Sequence, residues 1–276
     1  MKRPILIIGK WIGGFTSFIV PFFMAVLIGT IFVTLSPMVD MNPYNSLKLG
    51  LFLLSSVIYL AVFFSLGLLI SSLTHQSSSS LVISLFVWAM LVFLIPNLGN
   101  ILARQLVRIP TVQQLELKRK QIQIRRVLES RRINIRRELE VNRRQYGSER
   151  MEADKRFDSE NEILTEDYRN RFNRLVKVSQ NITRISPAAA FTFLATDIAG
   201  TGMSEERNLK RAVLQYMHIA GNWDDEKGDR PAFSYQRSSF REVLGQGGLS
   251  NCLILILFNV LFFTGAYVAF LHYDAR

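Results

Sequence analysis

The stretch Leu66–Pro96, LGLLISSLTHQSSSSLVISLFVWAMLVFLIP, decides the fold of this chain. It lies within a longer run, Leu49–Ala103, in which His75 is the only side chain that titrates near neutral pH. A helix of about 20 apolar residues crosses a hydrocarbon core about 30 Å thick, so this run is long enough to cross twice. Its middle, Thr74–Ser80, is too polar for the bilayer centre. The run therefore predicts two membrane helices joined by a tight polar turn.

Two more uncharged runs lie on either side, Trp11–Val39 and Val243–Tyr273. A soluble protein has too little polar surface to cover several such helices, so the chain is predicted to be an all-α, polytopic membrane protein. The four transmembrane helices are predicted at about 15–35, 49–73, 81–101 and 249–271. Pro96 and Asn97 are expected to kink or end the third of them.

A large charged segment, residues 102–248, interrupts the apolar pattern before the last span. Between Arg104 and Arg144 there are 13 Lys or Arg against four Glu. A narrow apolar stripe at spacings of 7, 4, 7 and 4 predicts a basic helix that packs through one face. Its members are Leu117, Ile124, Leu128, Ile135 and Leu139. Gly147 and Ser148 are expected to break this helix.

A second helix, Glu152–Ile182, is predicted to pair with the first. Its apolar positions recur at helical spacing: Leu164, Tyr168, Phe172, Leu175, Val178 and Ile182. Its early part is acidic, so an antiparallel hairpin would set these acids against the distal arginines of the first helix. The interrupted apolar segment Ile185–Gly202 is expected at the membrane interface or at the hairpin base. A further amphipathic helix is expected over Ser204–Ala220.

No catalytic, cofactor or metal site is predicted in this chain, so it is not expected to be an enzyme. It has no phosphate-binding Gly-rich loop with a following Lys, and no nucleophile elbow. Cys252 is the only cysteine, and the three histidines are scattered. Asp224 and Asp225 fit a solvated turn. The arginine-rich helix belongs to no recognised nucleic-acid module, so no nucleic-acid partner is expected.

The segment Arg3–Gly14, RPILIIGKWIGG, is the most specific local pattern. It reads as a short interfacial segment in which Arg3 and Lys10 lie at the headgroups and Trp11 marks the membrane boundary. The pair Gly13 and Gly14 would permit a sharp turn into the bilayer. The alternative is a simple positively charged flank of the first span.

RPILIIGKWIGG resembles the coupling segment before the third span of permease subunits in type-2 ABC exporters. Leu66–Pro96 is similar to the fourth span, the cytoplasmic turn and the fifth span of that family, and Tyr273–Arg276 is similar to its C-terminal ending. The motifs SPAAAF at Ser186–Phe191 and AGTG at Ala199–Gly202 resemble a subgroup with a large extracytoplasmic helical insertion between its last two spans. The resemblance covers nearly the whole chain.

The resemblance implies a multi-pass protein of the inner (plasma) membrane that exports a substrate or transmits force. ATP and Mg²⁺ would bind a separate nucleotide-binding subunit, and this chain would hold no cofactor. Contact with that subunit would fall on six residues: Arg3, Pro4, Lys10, Trp11, Gly13 and Gly14. Other implied partners are membrane lipid, a second permease copy or a paralogue, and a periplasmic or cell-surface protein. Family members have six spans, so this chain with four is expected to be truncated, split or complemented by another chain.

The domain order is therefore expected to be a coupling segment (1–14), three spans (15–101), an extracytoplasmic helical domain (102–248) and a last span with its tail (249–276). The resemblance places both termini and the Ser-rich turn in the cytoplasm. The charges agree only in part, because Arg104, Arg108, Arg237 and Arg241 would lie near membrane ends on the outer side, against Lys2, Arg3, Lys10 and Arg276 inside. A membrane anchor whose hairpin binds other proteins is the alternative function. A membrane-embedded enzyme is disfavoured, since the spans lack ionisable residues.

Overall fold

The computed structural model describes residues 3–36, 42–139, 143–221, 223, 228–237, 239, 242 and 244–272. These residues form helices and connections, and no strand occurs among them. In chain order the elements are α1 (Arg3–Leu35), α2 (Pro43–Leu73), α3 (Ser77–Ala89), a π-helical segment (Met90–Leu94), α4 (Ile95–Leu106), α5 (Val112–Leu139), α6 (Arg143–Thr183), α7 (Pro187–Ala199), α8 (Met203–Gly221), a π-helical turn (Leu244–Gly248) and α9 (Leu249–His272). The all-α fold is confirmed.

Four helical stretches in the described part of the chain are long and apolar enough to cross a membrane, as predicted. They are Ile7–Leu35, Pro43–Leu73, Ser77–Leu106 and Leu249–His272. The most apolar parts of the first and third stretches contain no buried residue. Large side chains such as Phe18, Phe32 and Phe86 project outward from them. Lipid would cover these side chains, since exposing so much apolar surface to water would be unfavourable.

The chain divides into two compact units, Met1–Pro96 with Thr183–Arg276, and Asn97–Ile182. In the first unit, α2 and α9 pack against each other and run in the same direction. The Ser65 hydroxyl donates to Oδ1 of Asn259 at 3.0 Å, and one turn later Leu69 packs against Gly265. Residue numbers thus rise together along both helices. This is the direction that alternating membrane crossings require of the second and fourth spans.

Helix α7 packs against α2 and α9, and its predicted position at the membrane interface or the hairpin base stays a prediction. Its buried residues Ala190, Leu194 and Ile198 form one cluster with Val62 of α2 and Leu255 of α9. In addition, the ring of Phe191 stacks on that of Tyr59, with centroids 4.4 Å apart. Small alanines on this face let the short helix approach α2 and α9 closely. Segment 185–202 therefore belongs to the unit formed by Met1–Pro96 and Thr183–Arg276, which we call the membrane unit.

The third span continues through Pro96 to Leu106, so the alternative that Pro96 ends the helix is wrong. Just before the proline the helix widens into the π-helical segment Met90–Leu94. The Leu91 carbonyl would normally accept from the backbone N–H of residue 95 or 96. However, Ile95 donates to Met90, and proline has no N–H. This carbonyl therefore needs a donor from outside its own helix.

That donor is the hydroxyl of Ser186, which hydrogen-bonds to the Leu91 carbonyl. Ser186 is completely buried and also caps α7, since its Oγ accepts from the Ala189 N–H at 3.3 Å. Pro187 follows at the first helical position, where its missing N–H has no cost. One side chain thus pairs the orphaned carbonyl and starts the inserted helix.

We expect Ser186→Ala to lower the free energy of unfolding by about 2 kcal/mol, because it removes a helix cap and leaves a buried carbonyl unpaired. The measurement is denaturant or thermal unfolding of the purified chain in detergent. Thr192→Ala is the matched control, since the exposed Thr192 hydroxyl donates to the Ala188 carbonyl in its own helix. Equal stability of the two variants would contradict this role of Ser186.

In the second unit, α5 and α6 form the predicted antiparallel hairpin. Arg126 contacts the carboxylates of Asp154 and Asp158, both at 2.9 Å, and Arg125 contacts Glu160 at 2.6 Å. The hydrogen bond from Arg126 to Asp154 raises the pKa of the guanidinium above its ordinary value. The predicted match of acids and arginines is confirmed. The break predicted at Gly147 and Ser148 is wrong, because both lie inside α6.

The face of α5 that packs on α6 differs from the predicted apolar stripe. The buried residues are Leu115, Ile122 and Ile133, and Arg119, Arg126 and Glu129 bond to α6 between them. Together these six positions follow steps of 4, 3, 4, 3 and 4. The predicted stripe, Leu117, Ile124, Leu128 and Ile135, is exposed, and the side chain of Leu139 lies outside the described part. On α6, Ala153, Phe157 and Leu164 complete the small core.

Candidate functional site

The N-terminal segment is the start of a membrane helix, because α1 runs unbroken from Arg3 through Gly13 and Gly14 to Leu35. The sharp turn predicted at the two glycines is therefore wrong. In hydrocarbon every backbone N–H and C=O needs a partner, which favours a continuous helix even through glycine. A displacement at the first turn would thus act on the whole span.

A chain of hydrogen bonds joins this helix to two others. The indole Nε1–H of Trp11 donates to Oγ of Ser65 at 3.0 Å, and the Ser65 hydroxyl donates to Oδ1 of Asn259 at 3.0 Å. Ser65 is completely buried. We call Trp11, Ser65 and Asn259 the three-helix junction, since they belong to α1, α2 and α9.

Aromatic rings surround the junction. The Trp11 ring stacks on Phe15 at 4.9 Å and meets Phe64 and Phe263 edge-on at 6.1 and 6.0 Å between centroids. Gly14 leaves room for this packing: a Cβ there would lie 2.8 Å from Cζ of Phe64. A Cβ at Gly13, by contrast, would meet nothing within 4 Å. The adjacent glycines are therefore not equivalent.

The junction lies about two turns before the C-terminal end of α2. Ser65 precedes Leu73, the last residue of α2, by eight positions, or roughly 12 Å of helix. Trp11 thus packs against α2 and α9, and its predicted place at the membrane boundary stays a prediction. Lys10 is exposed, with Nζ 5.8 Å from the ring centroid of Phe270. Arg3 and Pro4 begin α1, and their side chains lie outside the described part.

Of the six predicted coupling residues, the structure brings Trp11 and Gly14 together at the junction. Lys10 lies beside α9, and Gly13 faces open space. The sequence prediction missed four contributors on α2 and α9: Ser65 and Asn259, and the rings of Phe64 and Phe263. Ser65 and Asn259 carried a usable signal, because polar side chains within apolar spans often hydrogen-bond between helices. The two phenylalanines carried none, since phenylalanine is common in these spans.

The chemistry of this site is mechanical. The junction side chains are an indole, a hydroxyl and an amide, which form hydrogen bonds but supply no nucleophile or base near neutral pH. In the part of the chain that the structure describes, no group of three or more His, Cys, Asp or Glu could hold a metal ion. Cys252 is a free, half-buried thiol in the α2–α7–α9 core. The arrangement can fix three helices together and move them as one body.

The sequence model of the family described as ABC-2 family transporter protein matches residues 1–275. The chain belongs to this family. No curated protein and no solved structure gives a significant match. Membership in the ABC-2 family makes the chain a membrane component of an ABC transporter, in agreement with the four apolar spans among the described residues.

We expect Ser65→Ala to weaken the association of α1, α2 and α9 by about 1 to 2 kcal/mol, because two interhelical hydrogen bonds are lost at once. The measurement is the free energy of unfolding of the ABC-2 chain in detergent. Ser72→Ala is the control, since the Ser72 hydroxyl donates to the Leu69 carbonyl of its own helix. A loss no larger than that of the control would show that the junction does not hold the spans together.

Proposed function

We propose that this chain is the transmembrane permease subunit of an ABC exporter. It couples ATP hydrolysis on a separate nucleotide-binding subunit to export or to force transmission across the membrane. Membership in the ABC-2 family supports the transport role. The observation that carries the coupling role is the three-helix junction, which ties the N-terminal helix to α2 and α9.

In this mechanism the ATPase subunit pushes on the first turns of α1, at Arg3, Pro4 and Lys10. Since α1 has no break, the displacement reaches Trp11 without loss in a hinge. The Trp11–Ser65 and Ser65–Asn259 hydrogen bonds then pass it to α2 and α9. These two helices also hold α7, so the inserted helix moves with them. Such a rigid-body tilt of packed helices is a common way to convert a local push into a larger movement.

The partners follow from the same proposal. ATP and Mg²⁺ bind the nucleotide-binding subunit, and this chain works with a second permease copy or a paralogue in the inner (plasma) membrane. Three crossings separate the start of α1 from α5, so the hairpin lies on the extracytoplasmic side when α1 begins in the cytoplasm. There the hairpin docks a periplasmic or cell-surface protein.

The adjacent glycines give a sharp test. Gly14→Ala places a methyl group against Phe64 and displaces the rings around Trp11, whereas Gly13→Ala meets open space. Interhelical hydrogen bonds of this kind are worth about 0.6 to 1.7 kcal/mol, so we expect Gly14→Ala to reduce ATPase stimulation by between about threefold and twentyfold. Gly13→Ala should leave it unchanged. The measurement is the ATPase rate of the co-purified complex in lipid.

Trp11→Phe separates hydrogen bonding from packing, since it keeps an aromatic ring and removes the N–H donor. The variants are compared only as complexes that elute like the wild type. Unchanged ATPase stimulation in both Gly14→Ala and Trp11→Phe would contradict the coupling role.

A second candidate function is a non-transporting anchor whose hairpin binds partner proteins. The exposed apolar side chains of α5 favour a docking surface on this hairpin. The two functions predict different sets of proteins that co-purify with the chain. An anchor would bind its partner without any ATPase subunit and without a response to ATP.

A further inference from the structure

Helix α5 carries an apolar row that its hairpin partner leaves uncovered. Leu117, Ile124, Leu128 and Ile135 are 60%, 59%, 54% and 58% exposed, and we call them the outer stripe. They lie two residues beyond the positions that pack on α6, such as Leu115, Ile122 and Ile133. Two residues correspond to about 200° around a helix, so the outer stripe faces away from α6. A single hairpin cannot bury both faces.

The spacing of the outer stripe fits another helix better than a bilayer. Its steps of 7, 4 and 7 follow the 3.5-residue repeat of a coiled-coil seam. The intervening seam positions, Gln121 and Arg131, are polar, which keeps the row narrow. A helix that lies in a membrane surface has a broader apolar face, usually with Trp or Phe, and the outer stripe has neither.

The charged side chains beside the outer stripe indicate the sign of the charge on its partner. Lys118, Lys120 and Arg132 are exposed next to it, at positions that flank the seam. Over its whole length α5 carries nine Lys or Arg and three Glu. Two copies of α5 paired through this face would bring these cations together, which disfavours a second copy.

We propose that the outer stripe docks an amphipathic helix of another protein, with an apolar heptad seam flanked by Asp and Glu. This deepens the docking role in the proposed function and rests on it. Apolar side chains of the partner would cover Ile124 and Leu128, while its flanking acids would pair with Lys118, Lys120 and Arg132. The complex would place a third helix on the side of α5 opposite α6.

The first experiment titrates the full chain in detergent with a fluorescent synthetic helix of about four heptads, with Leu at the seam and Glu at the flanks. We expect it to bind at least tenfold more tightly than the same helix with Lys at the flanks. Ile124→Gln and Leu128→Gln should each weaken binding about tenfold, since each removes one apolar contact. Met151→Gln is the control, because Met151 is 59% exposed on α6, outside the stripe. Equal affinity for both helices, or no binding, would overturn the proposal.

The second experiment places a photo-reactive amino acid at Ile124 or Leu128 in cells and identifies the cross-linked material by mass spectrometry. A cross-linked segment with an acidic, heptad-spaced helical sequence is expected. Cross-links to lipid, to a second copy of this chain or to a segment without that pattern would overturn the proposal, as would their absence. The outcome is distinguishable from a failure of coupling, since stripe variants should leave basal ATPase stimulation unchanged.

Discussion

Hydrocarbon offers no hydrogen bonds to a peptide backbone, and this constraint shapes most of the membrane unit. It accounts for an α1 that continues through Gly13 and Gly14 where water would tolerate a turn. It also accounts for the structure before Pro96. There the helix widens into a π-helical segment, and Ser186, distant in sequence, hydrogen-bonds to the unpaired carbonyl of Leu91. The position of α7 and the shape of the third span are consequently linked by one hydrogen bond, from Ser186 to the Leu91 carbonyl.

A few polar side chains specify how the apolar helices associate. Lipid tails are as apolar as leucine, so the hydrophobic effect does little to choose one helix arrangement over another. Close packing and hydrogen bonds must supply the choice, as Ser65 does by contacting Trp11 and Asn259 at once. The same contacts that define the arrangement would transmit movement through it. In this account stability and coupling depend on one set of residues.

The sequence predicted the elements well and their faces poorly. Span number and position followed from length and hydropathy, because a bilayer imposes both. The charge match between α5 and α6 was also readable from composition. The face of α5 that packs on α6 was not readable. The apolar stripe that includes Ile124 is exposed, and α5 packs through a face on which Arg126 and Glu129 bond to α6. The place of α7 depended on a carbonyl in a span about 95 residues away in sequence, which no local pattern reveals.

The most direct test of the account is the side of the membrane on which each part lies, since ATP-driven coupling needs the Ser-rich turn and the start of α1 on the ATP side. With Cys252→Ser as background, single cysteines replace Gln76 in the turn and Ile163 in the hairpin. A membrane-impermeant thiol reagent is then added to intact cells. The account predicts labelling at position 163 and, only after the cells are opened, at position 76. Labelling of both positions from the same side would contradict it.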